Sequence, residues 1–186
     1  MKVVIVGHAG SGKDTVADYL VAKYGFKKYA FADKLKEIAS EMFPELVEKE
    51  RRRVLQVLGQ KLREIEPAVW IDFLMGRIER EGAARVVITD CRYLNEFERC
   101  ISSGFGPLFI DCPAEIRRLR LLKRDGVPIS ESEEQHASER EVRLIMSKIS
   151  KDCFITNVGT LRDLYFKIDK FIGGVLVSEP VESICC

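Results

Sequence analysis

Gly7-His8-Ala9-Gly10-Ser11-Gly12-Lys13-Asp14-Thr15 decides how this chain is read. The apolar run Val3-Val4-Ile5-Val6 precedes it and predicts a buried strand. Val16, Ala17, Leu20, Val21 and Tyr24 follow at helical spacing and predict a helix over 14–24. A strand, a glycine loop and a helix make the setting of a phosphate-binding P-loop. Glycines let successive backbone N–H groups turn inward without a Cβ clash, forming a nest for an anion. The helix N-terminus adds the positive end of its dipole. Lys13 supplies a point charge for β- and γ-phosphates, and Gly10, Ser11, Gly12, Asp14 and Thr15 complete the candidate nucleotide cradle.

Asp14 follows the lysine directly, and the hydroxyl of Thr15 comes one place later. That spacing resembles the adenylate-kinase type of loop more than the switch-GTPase type. It makes Thr15 the candidate magnesium contact on the loop.

The bulk of the sequence bounds the partners. A chain of 186 residues with 46% hydrophobic content suffices for one domain with a sizeable core. A net charge of +1 gives no basis for bulk binding to nucleic acid or membrane, so phosphate recognition must come from local clusters. No apolar run reaches the roughly 18 residues of a membrane span. The N-terminus leads straight into a strand, so a cytoplasmic protein without a signal peptide is expected. Six cysteines fit no zinc spacing and are expected to be reduced. Cys91, Cys112 and Cys153 fall at strand ends and read as small core residues. The terminal pair Cys185-Cys186 suits a frayed tail, a lipid-modified tail or a disulfide in a thermophile. Many charged residues with few Asn and Gln lean thermophilic.

Five apolar strands separated by helices predict an α/β fold with a five-stranded parallel sheet. The strands are read at 3–6, 27–31, 85–90, 108–111 and 153–156. Pro67 is placed in the first turn of a helix, and Gly173-Gly174 is read as ending the last helix at Ile172. Ligands of such sheets sit at the carboxyl ends of the strands, where Gly7, Asp33, Asp90, Asp111 and Asn157 gather.

Asp90 ends an apolar strand as a Walker B acid does, and can hold magnesium through water or position an acceptor. Arg92 follows on the same loop; the plain alternative is an ion pair between the two. Asp33 serves as a helix N-cap, faces the phosphate site, or does both. Arg63 can clamp a phosphate bidentately. Trp70 can stack on the base of an acceptor, and at helical spacing reads first as core. Arg117, Arg118, Arg120, Lys123 and Arg124 crowd one helix before a polar loop at 127–135. A solvated charged face is the plain reading; with a P-loop present, a mobile basic lid is expected, with Arg117 on the nucleotide and Arg120 and Arg124 on the transferring group. His136 reads as an acceptor contact rather than a general base, because an acceptor phosphate oxygen is already anionic. Ser138 and Glu139 start a helix or take a structural or acceptor-contact role.

Together these residues resemble the deoxynucleoside monophosphate kinase family of P-loop kinases. The resemblance runs from Met1 to about Phe171. It rests on Gly-Ser-Gly-Lys-Asp-Thr at 10–15, Phe-Ala-Asp-Lys-Leu-Lys at 31–36, and Arg63 with Pro67 and Trp70. Thr-Asp-Cys-Arg-Tyr-Leu-Asn-Glu-Phe-Glu at 89–98 and His-Ala-Ser-Glu at 136–139 add to it. It implies ATP-dependent transfer to a nucleotide 5′-phosphate with magnesium, by a monomer or homodimer. It also implies one domain over 1–172, with an acceptor-binding segment at about 33–80, a lid at about 113–140, and a tail at 173–186. Lys-Arg-Asp-Gly at 123–126 and Ile-Thr-Asn-Val-Gly-Thr-Leu at 155–161 are similar to dephospho-coenzyme A kinases. Animal-type phosphomevalonate kinases share Gly-Lys-Asp and a late Asn-x-Gly. In those families the late loop lies near adenine, which implies donor-base contacts for Asn157 and Gly159. A non-catalytic nucleotide-binding protein is the second class of reading, and the basic lid and Arg92 speak against it. A nucleic-acid-end kinase is the third, opposed by the near-neutral charge.

Overall fold

In the computed structural model of the chain, residues 1–128 and 137–178 are described. Five strands form one parallel sheet: β1 (Lys2–Val6), β2 (Lys27–Tyr29), β3 (Val86–Cys91), β4 (Gly106–Asp111) and β5 (Phe154–Thr156). Their spatial order is β2-β3-β1-β4-β5, so β1 lies at the centre with β3 and β4 beside it. The described helices are α1 (Lys13–Tyr24), α2 (Asp33–Met42), α3 (Glu48–Ile65), α4 (Val69–Glu81), α5 (Leu94–Ser102), α6 (Ala114–Asp125), α7 (Ala137–Lys148) and α8 (Leu161–Ser178).

The side-chain alternation of β1 builds both cores. Val4 and Val6 point to one face, where they meet Ile71 and Leu74 of α4, Phe97 of α5 and Ile145 of α7. Val3 and Ile5 point to the other, against Val16 and Leu20 of α1 and Leu164 and Ile168 of α8. A central parallel strand is covered on both faces, which is why its sequence is continuously apolar. Each fully buried Ile or Leu contributes roughly 1.5–3 kcal/mol through the area it removes from water.

The observed element ends differ from the expected ones: β3 is shifted one residue on, β4 starts two residues earlier at Gly106, and four further differences have a visible cause. β2 stops at Tyr29 instead of Phe31, because the N–H groups of Phe31 and Ala32 leave the sheet to reach the Asp90 carboxylate. Pro67 lies ahead of α4: a turn closed by Val69 N–H on Glu66 O at 3.0 Å precedes the helix. Cys153 is half-buried in a 3-10 turn before β5, whereas Cys91, Cys100 and Cys112 are buried free thiols. The last helix does not stop at Ile172; α8 runs through Gly173 and Gly174 to Ser178. A glycine that caps a helix turns to positive φ, and neither of these does. The chain from 173 to 178 is therefore helix, and the Cys185-Cys186 pair lies outside the described residues. Among the described residues, no helix is long and apolar enough to cross a membrane.

Candidate active site

The glycine loop sits between β1 and α1 as its sequence requires. Gly10 has φ +76° and Gly12 has φ +98°, backbone conformations that L side chains rarely adopt. The loop curls around the end of Lys13, which is buried and donates to Gly7 O at 2.6 Å and to His8 O at 2.9 Å. Burial, followed by the nearby Arg92 guanidinium, lowers the Lys13 ammonium to about 8. The Ser11 hydroxyl is buried and has no hydrogen-bond partner among the described residues.

Two elements brace this loop from behind. Arg117 on α6 donates to Cys112 O at 3.1 Å and to Ala9 O at 3.2 Å. Arg120, one turn on, reaches Ser11 O at 3.5 Å and Asn157 O at 3.2 Å. Asn157, buried just past β5, donates from Nδ2 to Ser11 O at 2.8 Å. The cations expected to contact nucleotide are thus engaged by loop carbonyls, as is the Asn157 amide. Gly159 lies in the turn before α8, against the Asp163 carboxylate.

A cavity of about 460 Å³ opens in front of the loop. Gly12, Lys13, Asp14, Asp90, Arg92 and Arg124 are among the residues that line it. Thr15 is half-buried and outside this lining, whereas the Asp14 carboxylate is in it and lies 3.3 Å from Lys28 Nζ. Arg124 pairs with Asp125 at 2.6 Å. Asp90 accepts from Phe31 N–H at 2.7 Å and Ala32 N–H at 3.0 Å, while burial raises its carboxyl above the ordinary range. Asp33 is the first residue of α2 and not its N-cap, which is Ala32. Its carboxylate instead accepts the Ala30 N–H at 2.9 Å and closes the turn from β2. Among the described residues, no group of three or more His, Cys, Asp and Glu could hold a metal. The available donors suit magnesium, which keeps most of its waters and takes phosphate oxygens with one or two protein ligands.

A second cavity of about 100 Å³ adjoins the first across Ala32, Asp90 and Arg92, which line both. Arg63, Trp70, Tyr93 and Glu96 form its far wall. The Arg63 guanidinium stacks 4.5 Å from the Tyr93 ring centre and lies 3.4 Å from Glu96 Oε1. Trp70 is buried, with its indole N–H donating to Gly59 O at 3.2 Å, so it is core and cavity wall at once. Glu96 is buried, and its other carboxylate oxygen accepts Arg92 N–H at 2.9 Å and Tyr93 N–H at 3.1 Å.

Burial raises the Glu96 carboxyl to about 7 despite those donors. An unfolded Glu releases its proton near pH 4.3, so between there and about pH 7 the folded chain binds more protons. Stability supplied by this group is full below about pH 4.3 and is lost as pH rises through about 7. Glu96→Gln removes that slope. Melting temperatures taken at about pH 5 and about pH 7.5 should therefore fall less in the variant than in the parent.

Glu139, expected to begin a helix or to take a structural or acceptor-contact role, makes a contact to the P-loop that sequence reasoning missed. From the first turn of α7 it accepts from His8 Nδ1 at 2.6 Å and from Ala9 N–H at 3.1 Å. Arg92 Nη1 stands 3.9 Å away. Burial pushes its carboxyl up, but His8, Ala9 N–H and Arg92 outweigh that and hold it at about 2. The clasp joins positions 131 residues apart, so no local pattern encodes it. Removing the carboxylate by Glu139→Ala strands the His8 ring and the Ala9 N–H in a half-buried place. That should cost about 2 kcal/mol, read as a lower denaturation midpoint with an unchanged slope. His136, the expected acceptor contact, lies outside the described residues.

The AAA_18 family model, described as AAA domain, matches residues 3–141. The chain belongs to this family of P-loop kinase domains. A mimivirus protein described as a deoxynucleotide monophosphate kinase is 28% identical, over 88% of this chain and 92% of its own length. Carp adenylate kinase isoenzyme 1 is 31% identical over 66% of this chain and 63% of its own length. Cytidylate kinase from Ignicoccus hospitalis is 28% identical over 77% and 76%. Among solved structures, TT1252 from Thermus thermophilus matches with a TM-score of 0.59 at 23% identity, over 96% of this chain and 98% of that one. A Janibacter sugar kinase matches at 0.55 and 20%, over 92% and 94%. At that identity the structural matches establish the fold alone. The P-loop kinase fold explains why the two cavities meet at the carboxyl ends of β1, β2 and β3, where the sheet order reverses.

Proposed function

We propose that this P-loop kinase transfers the γ-phosphoryl group of ATP to the 5′-phosphate of a nucleoside or deoxynucleoside monophosphate, giving the diphosphate. The observation that carries the reading is the pair of adjoining cavities that share Asp90 and Arg92 as a common wall. The larger one is floored by the P-loop and takes the triphosphate; the smaller one, with Arg63 beside Tyr93 and Trp70, takes the acceptor. An acceptor phosphate oxygen attacks the γ-phosphorus, the bond to the β-phosphate oxygen breaks, and ADP leaves. The nucleophile is already anionic, so no protein base is required.

In this reading Gly10, Ser11, Gly12 and Lys13 bind the phosphates, with Lys13 turning from Gly7 O and His8 O to the β/γ oxygens. The buried Ser11 hydroxyl is available to the same oxygens. Arg92, on the shared wall, neutralises charge on the transferring group, and Arg124 does so from α6. Arg117, Arg120 and Asn157 hold the loop in place through its carbonyls, and Arg120 can leave Ser11 O for a phosphate. When bound, magnesium offsets charge on the β- and γ-phosphates. Asp14 and Asp90 from the cavity wall, and Thr15 behind them, are its candidate protein contacts, with water completing the shell.

An ATP-dependent screen across the nucleoside and deoxynucleoside monophosphates, dephospho-coenzyme A and phosphomevalonate tests the assignment. ADP formation that requires a nucleoside monophosphate supports it. Turnover confined to one of the other two acceptors, or none with any, overturns it.

A further inference from the structure

We propose that the outer face of α3 pairs antiparallel with α3 of a second copy of this chain. The face is apolar and uncovered: Val57 is 54% exposed, Val47 63% and Ile65 80%. A groove of about 530 Å³ runs along it, lined by Val54, Val57 and Leu58, by Phe43 and Leu46 ahead of the helix, and by the charged Arg53, with Glu50 and Lys61 toward its two ends. The opposite side of the helix is already used. Gly59 is buried there against Leu35, and its carbonyl receives the Trp70 indole.

The occupant is set by the order of residues along the stripe. Glu50, Val54, Val57, Lys61 and Ile65 follow one another at steps of three or four, so they lie in one row. Glu50 and Lys61 stand about 16 Å apart along the axis. A two-fold axis crossing α3 between Leu55 and Gln56 sets Val54 against Val57 of the second copy. The same operation brings Glu50 opposite Lys61, and it does so twice. Within that row an acidic end, an apolar middle and a basic end, whose Lys61 also pairs with Glu64 of its own chain at 2.8 Å, make one helix face complementary to itself when reversed, which is what an isologous contact demands. An unrelated apolar partner would not require opposite charges at the two ends. The area of one helix face is small against a standard interface, so the dimer should be weak, on the order of micromolar.

Sedimentation equilibrium of the full chain, over a range from micromolar to several hundred micromolar, tests this without reference to activity. The parent should move from monomer to dimer. Glu50→Lys or Lys61→Glu alone places like charges opposite each other twice and should weaken association by roughly tenfold. The double reversal, Glu50→Lys with Lys61→Glu, should restore it. Both sites are exposed, and unchanged melting of the variants separates lost pairing from lost folding. A parent that stays monomeric throughout overturns the proposal. So does a dimer that ignores the single reversals, or one that the double reversal fails to restore.

Discussion

Lys13→Ala should lower phosphoryl transfer by several hundredfold or more while leaving the fold intact. Lys13 lies inside the curl of the loop, held by Gly7 O and His8 O at the place where β- and γ-phosphates would sit. Loss of one cation that meets charge developing in the transition state costs roughly 3–4 kcal/mol, which is two to three orders of magnitude in rate. The fold should survive, because the variant exchanges a buried ammonium, already destabilised by burial, for a methyl group. The same displacement to about 8 sets the pH dependence. In the free protein the ammonium loses its proton through about pH 8, so kcat/KM for ATP should decline above that point. A profile flat well beyond pH 9 would show that Lys13 stays charged. Near-normal turnover of Lys13→Ala would remove the lysine from the chemistry.

Gly10→Ala is expected to damage stability and activity together. At φ +76° an alanine is strained wherever it is placed. Here its Cβ would also stand 2.8 Å from Arg117 O and 3.0 Å from the Leu121 side chain. The nearer of these is helix backbone, which cannot swing aside, so either α6 moves off the loop or the loop changes shape. Strain and overpacking each cost on the order of 1–3 kcal/mol, and a combined loss of about 2–4 kcal/mol is expected. Arg117 and Arg120 would shift with α6, loosening the Ala9 and Ser11 carbonyls they hold. Misplacing a phosphate cradle by about 1 Å can cost a hundredfold in rate. Chemical denaturation and turnover of the same preparation check both halves.

How legible this was depended on the distance over which each feature is encoded. β1, the glycine loop and α1 are contiguous, so alternation, φ demands and helical spacing mark them directly. Asp90 was visible because an apolar strand ending in a carboxylate is a short pattern. Its actual partners, the N–H groups of Phe31 and Ala32, were not, since they reach it from the turn after β2, beside β3 in a sheet whose order is fixed only by folding. The same holds for Asn157 on Ser11 O, 146 residues away, and for Glu139 on His8. The basic run on α6 illustrates the opposite error. Composition shows five cations, but not that Arg117 and Arg120 turn toward carbonyls of the P-loop. Gly173-Gly174 misled because glycine marks a helix end only when it turns to positive φ, and sequence does not state φ.

Transfer of label from ATP carrying radioactive γ-phosphate is the most direct test of the central claim. With magnesium and a mixture of nucleoside and deoxynucleoside monophosphates, label should appear in a nucleoside diphosphate, and Lys13→Ala should abolish it. Label released only as inorganic phosphate, or retained in ATP whatever acceptor is supplied, would contradict the account.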